Sequence, residues 1–494
     1  MENRSDICLV VEGSYPYVTG GVASWLQWLM ENLPEFTFSV VALIAEKKRE
    51  EDRKYPFPPN LVAYEEYVLF DYSEIEDSVP LTLSRQRWRE LQERLYRLMK
   101  EWRRGVLSEE SIGILREVVL QAPTGIFRNF LEDEGAFALL TRLNGEFRED
   151  AGFVKYFYNF RNIHLIFFRV LTLIPRLPSS ALYHAPGTGF AGFIACLRKA
   201  LYGTPSIITE HGIYLQEREM ELLKSDWLDD PYLKDMWIEA FTALCHWQYG
   251  FSDRIITLYE GNKRLEMEYG AREGRIQVIP NGIDVERFVS ARSPRCRSLP
   301  RTVGFVGRVD SVKDIKTFIQ AMAMVRKEFP EMQALVIGPT SDQPGYFQEC
   351  RDLIRMLDLE ETVTFTGRAD VLDYYRKMDV LVLTSIKEAM PLVVMEAMAS
   401  GVPVVATDVG ACRELLYGRE DDEMGEAGLV RGVMDAEGIA EATVRILGDP
   451  RLADRLAESG IRRIEAFYRE ERIAEEYREI YRELLRHAGH HFSA

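Results

Sequence analysis

Residues 380–401 read Val380-Leu-Val-Leu-Thr384-Ser385-Ile-Lys-Glu388-Ala-Met390-Pro391-Leu392-Val393-Val-Met-Glu396-Ala-Met-Ala-Ser-Gly401. The run Val380–Thr384 is apolar almost throughout and predicts a strand buried on both faces. A helix is predicted over Leu392–Ala399. A strand that feeds a helix through a short loop is half of a parallel α/β unit, and such sheets bind ligands at the C-terminal ends of their strands. Pro391 suits the first helical turn, where its missing N–H costs nothing. The N–H groups of Leu392 and Val393 then point out of the helix start, a ready anion site for which a diphosphate is the obvious occupant. Glu396, a turn further on, can reach back to a ribose hydroxyl pair, and Glu388 in the loop can accept from sugar hydroxyls. A carboxylate suits both tasks because it accepts several hydrogen bonds at once. Two glutamates on a solvated loop and helix are the plain alternative; the strand–proline–helix setting favours the ligand reading.

The same alternation extends outward from this stretch. Strands are predicted at Thr302–Val306, Ala334–Ile337, Thr362–Phe365 and Val402–Ala406. Helices are predicted at Asp314–Glu328, Phe347–Leu357 and Val371–Met378. The first half opens in the same way, with a strand from Ile7, a helix over Val22–Leu33, and strands at Phe38–Leu43, Ala181–His184, Ser206–Thr209 and Arg254–Leu258. The expected architecture is α/β, two doubly wound domains at 1–295 and 300–465, joined through the polar, proline-bearing stretch Ser290–Pro300. A helical insertion is expected over about 81–160, where Trp88, Leu91, Leu95, Leu98 and Trp102 repeat at helical spacing. It reads as a subdomain packed on the sheet, with a partner-docking helix as the sharper reading. Residues 466–494 are expected to pack back on the first domain as part of a helix over Ile464–Arg486, with Phe467, Ile473, Tyr477 and Ile480 buried.

Three further motifs fall at strand ends. Gly304-Phe-Val-Gly307-Arg308-Val-Asp-Ser-Val-Lys313-Asp314 follows the first strand of the second half. Arg308 can grip a phosphate bidentately and Lys313 supplies a point charge. The motif is neither a Walker loop nor a dinucleotide fingerprint. Glu12-Gly-Ser-Tyr15-Pro16-Tyr17-Val-Thr-Gly20-Gly21-Val22 places two glycines after the first strand, where a ligand could approach the backbone. Tyr183-His184-Ala-Pro186-Gly187-Thr188-Gly189 and Thr209-Glu210-His211-Gly212 put two of the chain's 7 histidines at consecutive strand ends, where both are expected to face the ligand. A lone histidine is more often structural; the pair shifts the balance toward positioning a sugar.

Composition bounds the rest. The chain has 494 residues, 47% hydrophobic and 28% charged, which excludes collagen-like, disordered and disulfide-scaffold classes. Length alone suggests about three domains. With 61 Lys+Arg against 78 Asp+Glu, the net charge is −17, which argues against non-specific nucleic-acid binding while permitting a local basic pocket. No signal peptide or spanning segment is read from the sequence, and the 6 scattered cysteines read as buried reduced thiols, so a cytoplasmic protein is expected.

These motifs resemble glycosyltransferase family 4, with the two-Rossmann GT-B fold. The resemblance runs from Gly304-Phe-Val-Gly307-Arg308 through Phe365-Thr-Gly367-Arg368, Ser385-Ile-Lys-Glu388 and Met395-Glu396-Ala-Met-Ala-Ser-Gly401-Val-Pro403 to Cys412-Arg-Glu414. The opening Ile7–Trp25, with His184-Ala-Pro-Gly-Thr-Gly and Thr209-Glu-His211-Gly-Ile-Tyr214, is more particularly similar to the cytosolic glycosyltransferases of Pel exopolysaccharide synthesis. The resemblance implies two domains facing a cleft that closes on the substrates. It implies a retaining, metal-independent hexosyl transfer from a nucleotide sugar, UDP-glucose or a UDP-N-acetylhexosamine, to a growing exopolysaccharide. It needs no cofactor, and Asp-x-Asp, the usual carboxylate pair for a nucleotide-bound Mg²⁺, occurs nowhere in the chain.

Carried over, Glu396 becomes the ribose ligand, Glu388 a donor-sugar contact, and Arg308 with Lys313 the diphosphate clamp. Gly367 and Arg368 hold the nucleobase, and Met390, Pro391, Leu392 and Val393 line the donor. Gly20 and Gly21 lie near the diphosphate, His184 contacts the transferring sugar, and His211 is a further donor-side residue. Leu182 stands where family members often carry a first histidine. The implied partners are a glycan acceptor and an inner-membrane polysaccharide synthase. A nucleotide-binding scaffold subunit with little activity of its own is the alternative, and the intact Glu388/Glu396 and Arg308/Lys313 sets argue against it.

Overall fold

The computed structural model describes residues 5–487 except positions 14, 81, 83, 122, 133, 148–152, 229, 293–299 and 421. The chain divides into two units. The first comprises the chain up to Thr257, Asn262–Val278 and the chain from Tyr477; the second comprises Leu258–Gly261 and Ile279–Glu476.

The first unit is built on seven parallel strands: β1 (Ser5–Glu12), β2 (Phe38–Ile44), β3 (Leu61–Val68), β4 (Ser180–Ala185), β5 (Ser206–Glu210), β6 (Arg254–Thr257) and β7 (Ile276–Val278). Their order is β3-β2-β1-β4-β5-β6-β7. β1 registers Leu9 against both Val40 of β2 and His184 of β4. Ile7 to Val11 are wholly buried, as an apolar run covered on both faces should be. The second unit has six parallel strands: β8 (Thr302–Val306), β9 (Gln333–Ile337), β10 (Val363–Gly367), β11 (Val380–Leu383), β12 (Val404–Thr407) and β13 (Gly428–Arg431), ordered β10-β9-β8-β11-β12-β13.

Both sheets reverse their winding beside their first strand, between β1 and β4 and between β8 and β11. Successive crossovers leave the two faces of the sheet there, so the loops following the flanking strands splay apart and open a crevice. Of the motifs singled out in the sequence, four lie at the ends of β1, β4, β8 and β11; the His211 motif follows β5, and Gly367, before Arg368, ends β10.

Between β3 and β4 the chain forms helices at Arg85–Arg103, Glu109–Gln121, Pro123–Glu132, Glu134–Phe147 and Phe153–Leu173, so the helical stretch runs past residue 160. Leu95, Leu98 and Trp102 pack on the core of the first unit as their spacing predicts. The side chain of Trp88 lies outside the described residues. The C-terminal stretch differs from the single helix expected over 464–486. One helix ends at Phe467 and another spans Glu470–His487, with Tyr468 and Arg469 between them. The break lets Ile283 donate its N–H to the Tyr468 carbonyl and accept from the Glu470 N–H. Ile473, Tyr477 and Ile480 are buried, and the helix passes from the second unit to the first at Tyr477.

The chain changes unit at 278/279, ahead of the expected linker. Ile283, Val285, Phe288 and Ala291 are buried in the second unit's core, which ties this stretch to that sheet. Most of the expected linker, 293–299, lies outside the described residues. Five cysteines are buried and free; Cys296 lies outside the described residues. No helix among the described residues is long and apolar enough to cross a membrane.

Candidate active site

In the second unit, the loops after β8 and β11 are locked together at the point where the winding reverses. Asp310, nearly fully buried, accepts from the N–H groups of Val312 and Lys313 through one carboxylate oxygen, both at 3.0 Å, and curls the loop around itself. Asp314 then caps the helix Ile315–Glu328, accepting from the Thr317 N–H at 3.3 Å and its hydroxyl at 2.6 Å. From the end of β11, the Thr384 hydroxyl reaches the carbonyls of Lys313 and Asp314 at 3.0 and 2.9 Å, and the Ile386 N–H donates to the Val312 carbonyl at 2.8 Å.

This scaffold brings Lys313 and Glu388 into direct contact. The Lys313 ammonium donates to Glu388 Oε1, and the Ser385 hydroxyl donates to the same oxygen at 2.6 Å. Both side chains are mostly buried, 19% and 13% exposed. Gly410, with φ +51, presses the next loop against this one. A Cβ there would lie 2.2 Å from the Ala389 carbonyl and 2.3 Å from that of Glu388. No side chain other than hydrogen fits, and the backbone that carries Glu388 is held in place.

Arg308 stands in a different environment from Lys313. Its guanidinium is 61% exposed and meets Asp310 at 3.4 Å and Asp342 at 3.5 Å. The structure therefore gives the expected diphosphate clamp one sheltered cation and one solvated one. The helix spans Leu392–Ala399 as predicted, with Pro391 at its N-cap and Leu392, its first residue, 41% exposed. The N–H groups of Leu392 and Val393 lie where no carbonyl of their own helix reaches them. Met390 is buried, its sulfur accepting from the Asn281 N–H at 3.3 Å. Gly367 ends β10 with φ +70, and Arg368 beyond it is exposed. Glu396 receives the Tyr375 hydroxyl on Oε2 at 2.9 Å. Burial raises its carboxyl above the usual range, against the lowering effect of that hydrogen bond and of the Arg287 charge.

The first unit gathers its candidates around Trp25. Gly20 and Gly21, both with positive φ, open the helix Gly21–Asn32, and the Gly20 N–H is taken by the Tyr55 hydroxyl at 2.9 Å. His184 does not present itself to a ligand. It is wholly buried, with Nδ1 2.7 Å from the Tyr481 hydroxyl and Nε2 2.7 Å from the Thr209 hydroxyl. Burial, and then the neighbouring His211, push its pKa down to about 3. The ring is neutral, and both its nitrogens are engaged within the first unit. His211 differs. Its ring meets Trp25 edge-on at 4.6 Å, burial lowers its pKa to about 4, and its Nε2 has no hydrogen-bond partner among the described residues. That nitrogen is also shielded from solvent, an unsatisfied polar atom on a neutral ring.

Two carboxylates that sequence reasoning passed over organise this end of the first sheet. Glu12 at the end of β1 accepts from the Ala191 N–H at 2.9 Å. Glu210 at the end of β5 accepts from the Thr188 N–H at 2.9 Å and the Tyr249 hydroxyl at 3.2 Å. They accept N–H groups at and just before the start of the helix Phe190–Tyr202, and burial raises both carboxyls above the usual range. Despite its Gly187-Thr-Gly189 sequence, that helix start is already occupied from within. Glu210 stood in view between two residues that were read; Glu12 carries no local signal beyond its strand-end position.

Residues 5–274 match the family model described as a domain of unknown function, DUF3492, and residues 300–449 match that described as glycosyl transferases group 1. Among curated proteins, the chain is similar to a lipopolysaccharide core biosynthesis mannosyltransferase of Rhizobium meliloti, 31% identical over 219 residues, 42% of this chain and 61% of the relative. It is also similar to the glycogen synthase of Mycobacterium tuberculosis, 27% identical over 241 residues, 48% of this chain and 56% of the relative. The chain thus spans little more than half the length of the curated relatives it matches. Sucrose-phosphate synthase from Thermosynechococcus elongatus has a similar structure, with TM-score 0.59 and 20% identity over 98% of this chain and 100% of that one. So does HepE of Anabaena, solved in complex with UDP and glucose, with TM-score 0.58 and 15% identity over 96% and 99%. These likenesses agree with the two reversed-winding sheets in assigning a GT-B fold. The chain belongs to the DUF3492 family, and its second parallel-sheet unit is of the group 1 glycosyl transferase type.

Proposed function

We propose that this protein is a retaining glycosyltransferase that moves a hexose from a UDP-sugar, UDP-glucose or a UDP-N-acetylhexosamine, to a growing exopolysaccharide of the Pel type. The observation that carries this reading is the constellation at the β8/β11 reversal: Lys313 against Glu388, the Leu392 helix start, and Glu396 one turn beyond. A nucleoside diphosphate needs a cation and N–H donors for its phosphates and a carboxylate for its ribose hydroxyls, and these groups meet those needs. The group 1 match over the same residues, and the UDP complexes of the structurally similar HepE, support the donor class.

The chemistry follows from the charges. Lys313 and Arg308, with the Leu392 and Val393 N–H groups, stabilise the diphosphate as it leaves. An anion at a helix end gains ~0.3–2 kcal/mol; the charge-assisted contacts of the two side chains carry more. Glu388, released from Lys313 as the diphosphate takes over the ammonium, is free to accept from the donor sugar. The acceptor attacks from the face the diphosphate leaves, and the leaving phosphate takes the acceptor proton, so configuration is retained. No metal enters this scheme. A membrane-bound polysaccharide synthase is the partner that such an acceptor implies, with the protein on the cytoplasmic face.

The test is nucleotide release from purified protein over a panel of UDP-, GDP- and ADP-sugars. Release confined to one or two UDP-sugars is the expected result. Binding of UDP with no release from any donor would replace this reading with that of a nucleotide-binding scaffold subunit.

A further inference from the structure

Glu396 does not stand alone. Tyr375, the last residue of the helix Val371–Tyr375, is 2% exposed, and its ring lies edge-on to Phe288 at 6.1 Å. Its hydroxyl lies 2.9 Å from Glu396 Oε2 and 3.3 Å from the Val393 carbonyl. A tyrosine has one proton to donate, and the carboxylate is the closer and stronger acceptor. Glu396 Oε1 accepts no hydrogen bond among the described residues. The carboxylate is thus pinned through one oxygen while the other stays open, on a half-buried side chain.

We propose that Tyr375 is a positioning residue for nucleotide binding, its hydroxyl fixing Glu396 so that the open oxygen meets the vicinal hydroxyls of the ribose. The inference rests on the nucleotide-sugar reading above and adds to it a residue that touches no substrate. The physical reason is the cost of burying a carboxylate. Without the phenol, Glu396 loses its one close donor and is left to take up a proton or turn toward water. Either change spoils a group that must be ionised and correctly rotated to accept two hydrogen bonds. A tyrosine buried only for packing would behave differently, because replacing it with phenylalanine keeps the ring and removes nothing the ligand senses.

The experiment is calorimetric titration of the full chain and of Tyr375→Phe with UDP and with 2′,3′-dideoxyuridine diphosphate, between pH 6 and 8.5. In the wild type, the ratio of the affinities for UDP and the dideoxy analogue, which share the same phosphate ionisation, is expected to be flat across this range. Tyr375→Phe should bind UDP about tenfold more weakly at pH 6, and it should recover part of the loss as pH rises and Glu396 ionises. Its affinity for the dideoxy analogue should match that of the wild type. In a Glu396→Gln background, Tyr375→Phe should add less than twofold. An unchanged UDP affinity in Tyr375→Phe, an equal loss for both nucleotides, or a full additional loss in the Glu396→Gln background would each overturn the proposal. Failure of the wild type to bind UDP at all would instead overturn the nucleotide reading beneath it, so the two failures are distinct.

Discussion

Lys313 and Glu388, 75 residues apart in the chain, form a mostly buried ion pair that joins the loop after β8 to the loop after β11. Without ligand, each neutralises the other. A diphosphate that binds here competes with Glu388 for the ammonium, so the two residues should fail differently when removed. Glu388→Ala leaves the ammonium unopposed. Nucleotide affinity is expected to hold or rise while turnover falls at least 100-fold. Lys313→Ala leaves an unopposed carboxylate facing the phosphates, and both affinity, by tenfold or more, and turnover are expected to fall. Calorimetry with UDP and a nucleotide-release assay separate the two outcomes, and unchanged melting temperatures would show that neither variant acts through the fold.

The two histidines should also part company. His184 has both nitrogens bonded inside the first unit, whereas His211 Nε2 has no partner among the described residues. His184→Ala strands the hydroxyls of Thr209 and Tyr481 and leaves a cavity, at a cost of about 2–4 kcal/mol in urea unfolding. His211→Ala should leave stability within about 1 kcal/mol of the wild type and lower turnover by tenfold or more.

In the second unit, Asp422 and Arg463 form an ion pair whose side chains are 1% and 0% exposed. The guanidinium also serves the carbonyls of Leu415, Leu416 and Gly425. Burial alone would raise the Asp422 carboxyl, but the hydrogen bonds and charge of Arg463 outweigh it and hold it below the usual range. Its stabilising contribution is therefore present above the unfolded value, near pH 4, and is lost as pH falls through the lower folded value. Asp422→Asn should cost about 3–5 kcal/mol at pH 7, because it leaves a buried cation without its counter-charge. The gap to wild type should shrink in acid unfolding.

Glu266 has the opposite sign. It is wholly buried, and burial, then the nearby Glu210, push its pKa from 4.5 up to about 9 against a lowering effect of Thr257. Folding therefore holds it protonated at neutral pH, and stability falls as pH rises from 4.5 toward 9. Glu266→Gln mimics the protonated form. It should be more stable than wild type at pH 8, the gap widening by about 1.4 kcal/mol per pH unit above 4.5 and vanishing near pH 4.5 in thermal or urea unfolding.

Much of this was legible in the chain, for reasons that vary by residue. The buried strands around Leu9, Val382 and Val405 are apolar on both faces, and continuous apolar runs identify such strands without help from tertiary contacts. β3 was missed because Leu61–Val68 carries Tyr and Glu on a partly exposed edge, and β7 and β13 because three or four residues give too short a signal. Glu388, Glu396 and Lys313 could be read because strand, turn and helix signals frame them. The environment of a side chain could not. His184 lies inside β4, in register with Ile207, while His211 lies just past the end of β5; the sequence shows both beside strand ends, and only the packing of Tyr481 and Thr209 shows which is engaged. Tyr375 reads as core until its hydroxyl is seen beside Glu396, and Glu12 reads as the end of a strand until the Ala191 N–H is seen beside it.

The central claim is that the β8/β11 reversal of the second unit holds a nucleoside diphosphate between Lys313, the Leu392 helix start and Glu396. It is tested most directly by calorimetric titration of UDP, GDP and ADP into the wild-type chain and into Lys313→Ala. The account predicts one saturable site on the wild type, tightest for UDP, weakened tenfold or more by the substitution. Absence of saturable binding for all three nucleotides, or equal affinity in wild type and variant, would contradict it.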